Sequence, residues 1–170
     1  MRGICALLLI AGCGGSGSSV AALDGVYQSS SDDEDTMGCG AGAPSGTLPV
    51  FRIESGAFLG TNAAKYELCT STTPSSCLDL GLLSIRFTVR TSDGWADDTY
   101  GGDGSGSTCL LTHVISTLTE SSAGHVQVVF ETHSVTTTSP SPGCTPTGAR
   151  NAESTMTCTK REVMIAARVN

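Results

Sequence analysis

Apolar residues recur at every second position along much of this chain, and that period constrains the fold more than any other feature. Leu83, Ile85, Phe87 and Val89 alternate with Ser84, Arg86, Thr88 and Arg90. Val126, Val128 and Phe130 form a second such face, with His125, Gln127, Glu131 and His133 pointing away from it. A period of two sends one set to a core and the other to water, which is a half-buried β-strand. No stretch carries helical periodicity with caps. Turn signals roughly every dozen residues predict an all-β domain, a small antiparallel barrel or sandwich of about eight strands. Closing the sheet removes sticky edges, so an up-and-down barrel is the attractive form.

Along the chain, residues 23–27 read as a short first strand and 29–43 as a polar, glycine-rich loop. Residues 48–53 and 57–61 read as a hairpin around Ser55-Gly56, followed by a strand at 65–69. Residues 93–107 read as a Gly/Asp loop with a short strand near Trp95, and 109–118 is apolar on both faces and cannot be oriented. A Pro/Gly loop at 136–150 precedes a last long strand at 155–169. With 170 residues and 5% aromatics, the chain suits one domain with a modest core.

The beginning of the chain is different. Met1-Arg2 precedes an apolar run to Ala11, a charged and then hydrophobic start typical of secretory signals. The run is far shorter than the roughly 20 residues a membrane-spanning helix needs. Leu9-Ile10-Ala11-Gly12-Cys13 resembles the lipobox of bacterial lipoproteins: an aliphatic residue, small residues, then the cysteine that takes up a diacylglyceryl group. The signal is shorter than usual in that family. The resemblance implies a signal peptide at 1–12, a lipidated Cys13 with a Gly/Ser tether at 13–21, and a single all-β domain at 22–170. Acyl chains contribute about 0.8 kcal/mol per buried methylene, so two or three hold a protein on a membrane. Gly14 rather than Asp after the cysteine implies sorting to the outer membrane, with the domain facing either the periplasm or the cell surface.

Cysteine use agrees with export. Apart from Cys5 and Cys13, six remain: Cys39, Cys69, Cys77, Cys109, Cys144 and Cys158. An even set in a small exported domain reads as disulfides. Cys69 and Cys77 bracket a short loop and are expected to pair. The other four are expected to pair as Cys144 with Cys158 and Cys39 with Cys109. There is no C-x₂₋₄-C spacing for zinc and no C-x-x-C for redox chemistry.

Cleavage after residue 12 removes Arg2, leaving eight of the 9 basic residues against 16 acidic ones. An acidic body without a Lys/Arg cluster argues against nucleic acid as a partner and against electrostatic docking on anionic lipid. Membrane attachment is then expected through Cys13 alone.

Gly25-x-Tyr27 near the start of the domain resembles the Gly-x-Trp of lipocalin-like barrels. In that family an arginine of the final strand packs over the aromatic ring, and Arg168 stands where it would be. The resemblance implies a barrel with one end plugged by a cation–π pair. Tyr27 in place of tryptophan is a departure from the pattern.

Candidate chemistry is sparse. Glu131 and His133 lie within reach of one metal ion on one strand face, whereas His125 is too distant along the strand. His113, if turned inward beside Leu111 and Ile115, offers a polar handle in an apolar cavity. Asp32-Asp33-Glu34-Asp35, and the group Asp93, Asp97, Asp98 and Asp103, contain oxygen ligands for calcium without an EF-hand pattern. The run from Gly101 to Ser107 lacks the Gly-Lys-Ser/Thr of a phosphate loop, and no G-x-S-x-G elbow is present. The sequence therefore implies no catalytic residue and no cofactor. It leads to a non-catalytic envelope lipoprotein that binds a protein partner or serves a structural role. The second reading is a lipocalin-like carrier of a small apolar ligand, which a large, mostly apolar pocket would favour.

Overall fold

A computed structural model describes residues 23–58, 60–81, 84–91, 94–138 and 143–169. The signal segment, Cys13, the tether and Leu83 fall outside the described residues. The fold is an all-β antiparallel, nearly closed barrel. Its strands are β1 (Gly25–Asp35), β2 (Ala43–Pro44), β3 (Val50–Phe58), β4 (Thr61–Cys69), β5 (Ile85–Phe87), β6 (Val89–Arg90), β7 (Gly94–Ser105), β8 (Thr108–Ser122), β9 (His125–Thr137) and β10 (Thr157–Arg168). One helix, α1 (Pro146–Ala152), lies between β9 and β10. Among the described residues no helix is long and apolar enough to cross a membrane.

The sheet runs β5-β4-β3-β1-β10-β9-β8-β7-β6, and β2 pairs with β1 off this path. The strand count is ten rather than about eight because two pieces are very short. β2 has two residues, and β5 and β6 are separated only by Thr88. That break has an architectural role. β5 pairs with β4 at one end of the sheet and β6 pairs with β7 at the other, so one short segment spans the seam. Alternation through 83–90 consequently builds less core than expected: Phe87 is fully buried, but Ile85 and Val89 are exposed.

Several other boundaries move. β1 continues to Asp35, so the polar run expected as loop is strand, with Asp32 buried. Ser55 and Gly56 lie inside β3, paired with Ala64 and Ala63, and the ladder with β4 continues to Phe58 opposite Thr61. β7 extends through the Gly/Asp stretch to Ser105, and β7 and β8 join through Gly106, whose φ of +61° suits a residue without a Cβ. Gly102 and Gly104 leave room on the outer wall: a Cβ at Gly102 would lie 2.5 Å from the Cys144 carbonyl carbon. The expected loop at 136–150 contains the start of α1, capped by Thr145 Oγ1, which accepts from Gly148 N at 3.0 Å, with Pro146 in the first turn.

The main core fills one half of the barrel. Leu23, Tyr27, Phe51, Ile53, Ala64, Trp95, Leu118, Val126, Val128, Met164 and Ala166 are all buried there. Tyr27 faces Arg168 across the β1–β10 ladder. The Arg168 guanidinium stands 5.6 Å from the ring centroid, and its Nη2 donates to the phenol oxygen at 3.1 Å. The phenol donates in turn to the Leu23 carbonyl at 2.8 Å. The contact expected between Arg168 and the Tyr27 ring is thus present.

Three disulfides staple the structure. Cys69–Cys77 pairs as expected. The other two differ from expectation: Cys39 joins Cys158, and Cys109 joins Cys144. The reason is topological. β1 and β10 are ladder neighbours, so the loop leaving β1 lies beside the start of β10, where Cys158 stands. Cys144 sits on the outer wall against Gly104 of β7, next to Cys109 at the start of β8.

Candidate functional site

The half of the barrel away from Tyr27 is open. A cavity of about 840 Å³ occupies it, lined by β4, β5, β7, β8, β9 and β10. That is within the roughly 300–1,000 Å³ of small-molecule sites. Its floor is an aromatic pair: Tyr66 and Phe130 meet edge to face at 5.4 Å. Phe51 backs Tyr66 at 4.9 Å and Phe87 backs Phe130 at 6.5 Å, so both rings are fixed by the filled half. Leu68, Ile85, Val114 and Pro49 add apolar wall, while Ser84, Thr88, Thr99, Ser116 and Thr132 add hydroxyls.

Charge enters through strand parity. On β10, Lys160 and Glu162 share the face of Met164, which is in the core, and both line the cavity. On β1 a bulge between Ser29 and Ser31 inserts one residue in the ladder. It turns Asp32, opposite Met164, and Glu34, opposite Glu162, inward in place of Asp33 and Asp35. On β7, Asp97 lies opposite the buried Ser116 and also faces in. Lys160 Nζ sits 2.7 Å from Glu34 Oε1 and 3.6 Å from Glu162 Oε2. The Asp97 oxygens accept from the hydroxyls of Thr88 at 2.5 Å and Thr99 at 3.4 Å. Asp32 Oδ2 accepts from Ser45 Oγ at 2.6 Å, whereas its Oδ1 is buried without a hydrogen-bond partner.

These placements shift titrations. Burial pushes the Glu162 carboxyl above the usual carboxylate range; Lys160 opposes this, and Asp32 and Glu34 reinforce it. The hydrogen bond to Glu34 holds the Lys160 ammonium above its ordinary value. Burial raises the Tyr66 phenol far beyond the normal tyrosine range, with Glu162 and Asp32 adding to the effect.

A second cluster lies outside the barrel, under α1. His113 shares a face with Leu111 and Ile115, but that face is the outer wall, so it supplies no handle to the barrel cavity. Its ring stacks on Tyr100 at 4.2 Å, and the Arg150 guanidinium lies 4.8 Å above the same Tyr100 ring. Tyr100 donates to Glu153 Oε2 at 3.0 Å, and His113 Nε2 lies 3.4 Å from Asp98 Oδ1. With Cys109, Leu111, Ala149 and Met156, this set docks α1 on β7 and β8.

His133 and Glu131 do come together, at 2.6 Å, and Glu131 also reaches Arg161 Nε at 3.5 Å. Cys158 completes a trio whose ligand atoms lie within 4.8 Å of one another, yet its sulfur is bonded to Cys39 and offers no thiolate. His125 is exposed at the far end of β9. The two acidic groups do not converge. Asp32 and Glu34 face in while Asp33 and Asp35 alternate outward; Asp97 faces in and Asp98 out, and Asp93 is outside the described residues.

Sequence reasoning missed the inward carboxylates. Alternation alone assigns Asp33 and Asp35 to the face of Tyr27, and no residue type announces the bulge that reverses the assignment. Compared with protein-family models, curated proteins and solved structures, the chain matches none.

Proposed function

We propose that this protein is a non-catalytic carrier that holds a small ligand, largely apolar in body, in the open half of its barrel. The observation that supports this over a partner-binding or purely structural module is the cavity of about 840 Å³ beside an otherwise well-filled core. A barrel built only for rigidity gains by filling that space, since each buried methylene is worth about 0.8 kcal/mol. Here Tyr66 and Phe130 are instead held by other rings and line the open space.

The lipobox resemblance at residues 9–13 supports an outer-membrane lipoprotein anchored through Cys13. Leu23, the first described residue, is buried in the core and accepts the Tyr27 phenol hydrogen bond. Cys13→Ser is expected to yield a folded, soluble protein; a variant that stays on the membrane after signal cleavage contradicts the anchor.

The carrier role is tested by filling the space. A fluorescent apolar probe is expected to bind the oxidised protein with a stoichiometry of about one, and Val114→Trp, which projects a large ring into the cavity, is expected to abolish binding without unfolding the domain. Probe binding that survives Val114→Trp in a folded protein contradicts the reading.

A further inference from the structure

The cavity walls carry an imbalance that the carrier reading by itself does not explain. Among the described residues that line the cavity, Asp97, Asp98 and Glu162 stand against Lys160 and Arg86, and the register of β1 turns Asp32 and Glu34 toward the same interior. Lys160 is already engaged by Glu34 and Glu162. Asp97 is met by hydroxyls only, and Asp32 Oδ1 is buried with no partner at all, on a residue 8% exposed. Buried carboxylates ordinarily find a cation or several donors, because desolvating an unpaired charge is costly. The floor adds a second, independent feature: Tyr66 and Phe130 line the cavity, and aromatic rings are favourable neighbours for a cation. Carboxylates over aromatic rings form an environment that welcomes an organic ammonium group and repels a second carboxylate.

Resting on the carrier reading, we propose that the ligand is a cationic amphiphile, an amine or quaternary ammonium whose apolar body lies against Tyr66, Phe130 and Val114 while its charged head sits between Glu162 and Asp97. A fatty acid or other anionic amphiphile is the disfavoured class. Arg86 and Asp98 alternate to the outer face by register yet also border the cavity, where their opposite charges offset one another.

The test uses three probes with the same chain: octyltrimethylammonium, 1-octanol and octanoate, each titrated by calorimetry into the oxidised Cys13→Ser protein. The ammonium is expected to bind at least about tenfold more tightly than octanoate, about 1.4 kcal/mol, with octanol between them. The gap should narrow as salt rises, because the contrast is Coulombic. In Glu162→Gln/Asp97→Asn the ratio of ammonium to octanoate affinity is expected to fall toward one. Equal affinities for the three probes, or a preference for octanoate, overturn the charge inference and leave the carrier reading standing. A ratio that the double variant leaves unchanged overturns the assigned head-group position. Failure of all three probes to bind overturns the carrier reading itself.

Discussion

Arg168 and Tyr27 face each other across the β1–β10 ladder, the guanidinium 5.6 Å from the ring centroid and its Nη2 3.1 Å from the phenol oxygen. The pair joins the two ends of the described chain beside the filled core. A cation over an aromatic face contributes about 0.5–2 kcal/mol, and a hydrogen bond to a charged donor about 1.5–3 kcal/mol. Arg168→Met keeps the stem and removes both interactions. It is expected to lower stability by about 2–3 kcal/mol in urea unfolding. Tyr27→Phe, which keeps the ring, should cost less.

The disulfides should differ in weight. Cys39–Cys158 closes a separation of 119 residues and Cys69–Cys77 one of 8. Loop-closure entropy gives about 4.7 kcal/mol for a loop of about 100 residues and about 3 for one of about 15. Cys39→Ser/Cys158→Ser is therefore expected to destabilise the protein more than Cys69→Ser/Cys77→Ser, by at least about 1 kcal/mol. Peptide mapping of the oxidised protein checks the pairing itself.

Glu162 gives stability a pH dependence of definite sign. Its carboxyl is raised by burial, beside Lys160 on its own strand and facing Asp32, Glu34 and Tyr66, with Asp97 across the cavity. The folded state therefore binds the proton more readily than the unfolded chain. The associated stabilisation is complete below the unfolded carboxylate value and is lost as pH rises through the raised folded value. Glu162→Gln is expected to raise the melting temperature at pH 7, with the advantage shrinking toward pH 4. An advantage that grows on acidification contradicts this placement of Glu162.

The outer wall depends on glycine where α1 approaches. A Cβ at Gly102 would meet the Cys144 carbonyl carbon and Thr145 N at 2.5 Å, both backbone atoms. Gly102→Val is expected to cost about 1–3 kcal/mol by displacing the segment before α1. Hydrogen exchange should show faster exchange of the amides of α1, with the β1–β10 ladder unchanged.

How much of this was legible depends on what each face touches. Val126, Val128 and Phe130 announced their face because apolar residues there meet an apolar core. Asp97 sits on a strand whose inner face lines a polar-walled cavity, and Asp32 and Glu34 put carboxylates on the inner face of β1, so the apolar contrast that marks a strand is missing and both stretches looked like loops. The bulge after Ser29 hid the β1 parity as well. Gly102 and Gly104 resembled a turn, but they mark the close approach of Cys144. Seven residues of α1 with one buried side chain, Ala149, are too few to show a helical period. The pairing of Cys39 and Cys158 required knowing that β1 and β10 are neighbours, which no local pattern states.

The central claim is that the open half of the barrel holds a small molecule. Native mass spectrometry of the protein taken gently from its own cells, with the anchor clipped in the tether, tests it most directly. The account predicts a reproducible added mass of about a few hundred daltons, the size a cavity of this class accommodates, lost on denaturation and absent from Val114→Trp. A bare polypeptide mass for the folded, oxidised protein under the same gentle conditions would contradict it.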